Sequence, residues 1–88
     1  MILIKMSVVY RLNFGKGISK PINLRDVSSV YQYNNRITVN YNYTTSNGLL
    51  IFGSGFIEQE HHKEIITFNT EEDASHHIKN IEHAMANL

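Results

Sequence analysis

The chain has 88 residues, which fits one domain spanning residues 1–88. A chain this short buries only about 60–65% of its unfolded surface, so a partner subunit would add to its stability. Eight basic and eight acidic residues give a formal net charge of zero. This balance argues against a nucleic-acid binder that works by counterion release and against a polybasic membrane patch. The chain has no cysteine, which excludes disulfides and thiolate zinc sites.

Residues 2–13 alternate between apolar and mixed positions, which predicts a half-buried strand. Twelve residues at about 3.3 Å each would reach about 40 Å, so we expect this strand either to bend or to pair with a second subunit. Lys5 interrupts the apolar run, and no signal-peptide cleavage site follows. We therefore expect a soluble, cytoplasmic protein without a membrane span. The heavy use of asparagine, isoleucine and tyrosine fits an AT-rich genome, such as those of many phages and marine bacteria.

Residues 14–26 contain two glycines and a proline and are predicted to be mostly loop, with residues 22–24 as a short edge strand or one helical turn. Residues 27–43 then predict a β-hairpin. Its turn is Asn34-Asn35, because both residues tolerate the positive φ of a type I′ turn. This turn sets Tyr33 opposite Arg36. One hairpin face is predicted to be core, and it carries Val30, Gln32, Ile37, Val39, Tyr41 and Tyr43.

The remaining elements are two strands and a helix. Residues 49–57 read as one nearly continuous apolar strand. Gly53 and Gly55 indicate a bulge or a sharp bend, where a missing Cβ lets the sheet coil or another element approach. Residues 58–64 are a charged hairpin end, and residues 65–69 form the last strand. Residues 71–87 are predicted to be a helix because Thr70 can cap it and apolar residues recur at helical spacing. The predicted fold class is α+β: an antiparallel, strongly bent sheet of about five strands followed by one C-terminal helix.

The second hairpin face is a candidate interaction surface. It is predicted to be exposed, and its polar and aromatic side chains are Tyr31, Tyr33, Arg36, Thr38 and Asn40, followed by Asn42. Tyrosine and arginine are enriched at binding hot spots. The competing interpretation is that cross-strand pairs only stabilise an exposed sheet. Single-stranded RNA could stack on the tyrosines, but the zero net charge makes nucleic acid an unlikely partner.

The histidines are the only candidates for a metal site, although no motif supports one and no metal or other cofactor is expected. Asp73 and His77 have the i, i+4 spacing of a helical ligand pair, and His61 or His62 could complete the set if the fold brings them together. The favoured interpretation is that these histidines are solvated. Ser54 lies between two glycines, but a nucleophile elbow needs glycine two positions before and two positions after the serine, where this chain has Phe52 and Phe56. No nucleophile–base pair is apparent, so we expect no enzymatic activity and no catalytic residue.

The segment INLRDVSSV leading into antiparallel strands, the last strand IITFN and the capped C-terminal helix resemble the later part of small bacterial and phage pleckstrin-homology-like domains. The resemblance covers residues 27–88 and is architectural, so it transfers no functional residue. Such domains are mostly binding or assembly modules without catalytic residues. The chain departs from the family in having about five predicted strands where seven are usual.

The leading hypothesis is a small non-enzymatic interaction or assembly module that works as a homo-oligomer. The overlong first strand and a sheet too wide for one helix both favour self-association, with an unidentified protein as a further partner. The alternative is a binding domain for a small apolar ligand or lipid inside a curled sheet, with Gly53 and Gly55 at its wall. A histidine-based metal site with unknown activity is the third hypothesis.

Overall fold

The computed structural model describes residues 9–13, 19–44, 47–52 and 55–87, which form seven strands and one helix. The strands are β1 (Val9–Asn13), β2 (Ser19–Asn23), β3 (Val27–Tyr33), β4 (Arg36–Tyr41), β5 (Gly48–Phe52), β6 (Gly55–Glu60) and β7 (Lys63–Phe68), and the helix is α1 (Glu71–Ala86). All pairings are antiparallel: β1 pairs with β2, and the other five strands form a sheet in the order β3-β4-β7-β6-β5.

This arrangement confirms the predicted α+β class, whereas the count of about five strands was too low. The prediction of a strongly bent sheet is wrong, because the sheet is not strongly curled. Part of the segment predicted to be loop is β2, whose Ile22 is buried, and a short 3₁₀ turn at Leu24–Asp26 follows it. The predicted long first strand is described only from Val9 onward. Residues 2–8 lie outside the described residues, so the predicted length of the first strand is not tested.

The β3–β4 hairpin has the predicted register, with Tyr33 opposite Arg36 and Val30 opposite Val39. Of the two turn residues, only Asn34 has a positive φ, of 55°. The signs of the two φ angles are therefore those of a type II′ turn rather than of the predicted type I′ turn. Asn35 has another role. Its backbone carbonyl accepts a 2.8 Å hydrogen bond from the backbone N–H of Phe68, and its Nδ2 donates a 2.8 Å bond to the Phe68 carbonyl. The turn is thereby attached to the end of β7.

The apolar stretch predicted to be one strand over residues 49–57 is instead a hairpin of two strands. Phe52 of β5 lies opposite Gly55 of β6, and the two strands are antiparallel, so the chain has reversed direction by Gly55. Residues 53–54 lie outside the described residues. Gly55 approaches β7 so closely that a Cβ there would overlap the carbonyl oxygen of Thr67. Glycine is therefore needed at residue 55 for the close approach of a neighbouring strand, which is one of the alternatives expected for the glycines of this stretch.

The two faces of the five-stranded sheet have different environments. We call inner face the side on which Ile37, Ile57 and Ile66 lie side by side in register, and all three are fully buried. We call outer face the opposite side, which carries Tyr31, Tyr33, Arg36, Thr38, Asn40, Leu49, Ile51, Phe56, Glu58, Ile65 and Thr67.

The inner face is covered by α1 and by the β1–β2 hairpin. Ile78 and Ile81 of the helix share one core with Leu12 and Ile22 of the hairpin. One helix is too narrow to cover five strands, which is why the sequence predicts that the sheet curls or that a second subunit covers it. In the structure, the β1–β2 hairpin supplies the second half of the layer that covers the inner face.

The helix begins as predicted. Thr70 Oγ1 accepts a 3.1 Å hydrogen bond from the backbone N–H of Asp73, and three acidic residues lie in the first turn. Of the predicted apolar stripe, Ala74, Ile78 and Ile81 are buried and Met85 is partly buried. Leu88 lies outside the described residues. Burial of each isoleucine is worth about 1.5–3 kcal/mol, so the stripe holds the helix on the sheet.

Candidate interaction surface

The outer face has no second layer over it among the described residues. The register aligns two rows of side chains across its strands. One row runs Tyr31, Thr38, Ile65, Glu58, Leu49, and the other runs Tyr33, Arg36, Thr67, Phe56, Ile51. Aromatic side chains thus lie at the β3 end of both rows and aliphatic ones at the β5 end. Large apolar side chains this exposed are typical of a surface that binds a partner.

The five residues predicted to form the interaction surface all lie on the outer face, but their exposure differs. Tyr31 and Tyr33 are 51% and 73% exposed, and Arg36 is also exposed. Thr38 was expected to be exposed and is only 8% exposed, because β4 lies inside the sheet between β3 and β7. Asn40 is half-buried and its Nδ2 donates a 3.0 Å hydrogen bond to Ser29 Oγ. The accessible part of the predicted surface is therefore Tyr31, Tyr33 and Arg36.

The most exposed apolar side chains lie at the opposite end of the outer face, on β5. Ile51 is 78% exposed and Leu49 is 57% exposed. Together with Phe56 and the acidic residues Glu58 and Glu60, they line a groove of about 470 Å³ along β5 and β6. Sequence reasoning missed this surface because it treated residues 49–57 as one nearly continuous apolar strand. The signal that could have revealed it is the Gly-Ser-Gly triplet at 53–55, a turn composition inside the apolar run.

A buried carboxylate lies on the inner face, beneath β2. Glu64 is only 3% exposed; Tyr41 donates its hydroxyl hydrogen to Oε1, and Gln59 Nε2 donates a 3.1 Å bond to Oε2. Lys20 Nζ lies 3.2 Å from the same Oε2 and supplies the compensating charge. Burial, followed by the hydrogen bond to Glu64, raises the pKa of Tyr41, so this phenol remains protonated and continues to donate.

This cluster borders a cleft of about 440 Å³ between the β1–β2 hairpin and the sheet. The polar groups of the cluster satisfy one another, which is what a buried charge in a stable core requires. We therefore assign Glu64, Tyr41, Gln59 and Lys20 a structural role: they attach β2 to the sheet. Sequence reasoning had placed Glu64 in a solvated hairpin end, and only the register of β6 and β7 shows that it points inward.

The candidate metal ligands lie at opposite ends of β7. His61 and His62 form the turn that precedes this strand, whereas Asp73 and His77 are on the helix that follows it. His77 stacks on Phe68 with ring centroids 5.0 Å apart, and its Nδ1 lies 3.1 Å from the Tyr10 hydroxyl. The fold does not bring the two pairs together. In the described part of the chain, no group of three or more histidine, aspartate or glutamate side chains could hold a metal ion.

Burial lowers the pKa of His77, and the neighbouring His76 lowers it further, against a smaller opposing effect of Asp73. The ring is thus held neutral between Phe68 and Tyr10, as a core-facing histidine. Ser54 and Gly53 lie outside the described residues, so the structure does not test their predicted roles.

Two further observations bear on the class of protein. The helix is neither long nor apolar enough to cross a membrane, and the same holds for every helical segment among the described residues. No protein-family model, curated protein or solved structure matched this chain when it was compared with each set. The resemblance to pleckstrin-homology-like domains therefore stays a prediction.

Proposed function

We propose that this protein is a small non-enzymatic interaction module that associates with itself. The observation that carries the proposal is the outer face, where Tyr31, Tyr33, Leu49 and Ile51 are each more than half exposed. Association that buries such side chains removes apolar surface from water, which favours the complex by about 25 cal/mol per Å² of apolar surface. On the inner face, α1 and β1–β2 already cover the buried core residues of the sheet.

The test is the mass in solution, measured by light scattering on untagged protein at two concentrations. We expect a mass above the 10.1 kDa of one chain, rising with concentration if the complex is weak. A monomer at every accessible concentration would contradict the proposal.

A pair of substitutions tests whether the outer face forms the contact between copies. Ile51→Thr keeps a β-branched side chain but removes exposed apolar surface, and it should lower the association constant. Val9→Thr is the matched control, because Val9 is also exposed, at 47%, but lies on β1 and not on the outer face. Equal effects of the two substitutions would exclude the outer face as the contact.

A small apolar ligand is the second candidate, supported by the groove along β5 and β6. Its volume of about 470 Å³ lies in the usual range of small-molecule sites, and Leu49, Ile51 and Phe56 give it an apolar lining. This hypothesis began from an enclosed pocket in a curled sheet, whereas the described strands form a sheet that is not strongly curled. A screen of fatty acids and small hydrophobes that left the melting temperature unchanged would remove this candidate.

A further inference from the structure

The strand β5 is an edge of the five-stranded sheet, and among the described residues no strand pairs with its free side. Its sequence, Gly-Leu-Leu-Ile-Phe, contains no charge and no proline. Its apolar side chains are exposed on both faces: Leu49 and Ile51 on the outer face, and Leu50, which is 39% exposed, on the inner one. Natural edge strands are normally protected by charges, prolines or bulges, because a free edge is a template for another strand.

The opposite edge, β3, has such protection. A register shift interrupts its pairing with β4 between Val27 and Ser29, and Ser28 and Ser29 are exposed. Ser28 Oγ donates a 3.1 Å hydrogen bond to the Asn40 carbonyl, and Ser29 Oγ accepts one from Asn40. The two edges of one sheet therefore differ, and only β5 offers a regular apolar strand for pairing.

We propose that two copies of this chain pair through β5, antiparallel, about a two-fold axis at Leu50, so that the two sheets become one sheet of ten strands. This rests on the proposed self-association and names the surface that performs it. Leu50 is the middle residue of the strand, so this register pairs all five residues. Leu50 then faces its own copy, and Leu49 faces Ile51 of the other copy.

A second copy fits this edge because no like charges meet across the contact. Every position of β5 is uncharged, so no like charges meet across the axis. The charged side chain of the outer face that lies nearest to this edge in the two rows is Glu58, which is on β6, opposite Leu49. The two copies of Glu58 are three strand spacings apart, at least about 14 Å. This exceeds the Debye length of about 8 Å at physiological salt, so their repulsion is screened. The zero net charge of the chain adds no repulsion between copies.

Pairing also extends the apolar part of the outer face. Leu49 and Ile51 of one copy lie beside Ile51 and Leu49 of the other, and Phe56 flanks them on each side. Side-chain contacts between directly opposite residues stabilise an antiparallel pair, in addition to the backbone hydrogen bonds that the free edge makes. Ile51, the most exposed side chain of the apolar edge, thereby gains an apolar neighbour on its free side.

The test uses the absence of cysteine from the chain, because a single introduced cysteine then reports only on its own symmetric contact. Residues directly opposite in an antiparallel pair have Cα atoms about 4.5–5.5 Å apart, within the range of a disulfide. Under mild oxidation, Leu50→Cys should form a disulfide-linked dimer with twice the denatured mass of the chain. Ile51→Cys is the matched control. Its symmetric copies are diagonal neighbours about 7–8 Å apart, and it should link far more slowly.

A second experiment mixes Leu49→Cys chains with Ile51→Cys chains. Both variants keep Leu50, so the experiment remains informative if Leu50→Cys destabilises the fold or the contact. It should give mainly the mixed dimer, because those two positions face each other across the axis. Masses of the reduced variants, measured by light scattering, identify those that still associate.

The outcomes separate this inference from the proposed function. A monomeric wild type would overturn both. A dimer in which Ile51→Cys links to itself, while Leu50→Cys does not link and the mixture gives no mixed Leu49→Cys–Ile51→Cys dimer, would show that outer faces pack against each other. It would overturn strand pairing and leave self-association standing. A monomer that binds a foreign extended peptide at β5 would also overturn the two-fold pairing.

Discussion

Removal of the hydroxyl of Tyr41 should destabilise the fold by about 2 kcal/mol at neutral pH. The Tyr41→Phe substitution keeps the buried ring, so it opens no cavity. It removes one of three partners from Glu64, which retains Gln59 and Lys20. A hydrogen bond to a charged group contributes about 1.5–3 kcal/mol. A domain of this length has a total stability of about 4–13 kcal/mol, so the loss is easily measured.

The pH dependence provides an independent check. Because the pKa of Tyr41 is raised by folding, the folded state holds the phenol proton more tightly than the unfolded state does. The resulting stabilisation is complete below the ordinary value of 10.0 and is lost as the pH rises above it. Phenylalanine has no proton to lose. The difference between wild type and Tyr41→Phe should therefore narrow as the pH rises from about 9 to 11.

Urea unfolding at equal chain concentration measures both effects, and the midpoint should fall without a change in slope. Tyr43→Phe is the matched control. Its ring lies 5.3 Å from that of Tyr41, but the side chain is 47% exposed, so the same chemical change should cost less than about 0.5 kcal/mol. Two results would refute the role assigned to the Tyr41 hydroxyl. One is an equal loss of unfolding free energy in Tyr41→Phe and Tyr43→Phe. The other is a stability difference between wild type and Tyr41→Phe that does not change with pH.

Three further predictions concern other parts of the fold. Thr70→Ala removes the helix cap and should cost about 1 kcal/mol in urea unfolding, while Thr70→Asp should cost much less. Gly55→Ala should cost about 1–3 kcal/mol because its Cβ would meet backbone, and Gly48→Ala should cost less because its Cβ meets the movable end of a side chain. Because burial lowers the pKa of His77, wild type should lose stability as the pH falls below 6.5, and a thermal pH series should show no such component in His77→Phe.

Local patterns in the sequence determined the elements whose signals are short-range. The capped helix after Thr70, the turn at Asn34-Asn35 and the hairpin register follow from capping, turn chemistry and alternation, which involve only neighbouring residues. The α+β class followed from the order of these elements.

Only the tertiary structure decided what covers each surface. The β1–β2 hairpin and α1 share the inner face, which removes the need for a curled sheet, and no local pattern encodes this packing. Glu64 reads as solvated beside two other glutamates, yet its register position on the inner face buries it against Tyr41. Leu49 and Ile51 belong to an apolar run that reads as one strand, but the reversal before Gly55 divides the run into β5 and β6, and both side chains are exposed on the edge strand of the described sheet. Apolar character indicates that burial is favourable, whereas the arrangement of strands determines which side chains are buried within one chain and which remain for a partner.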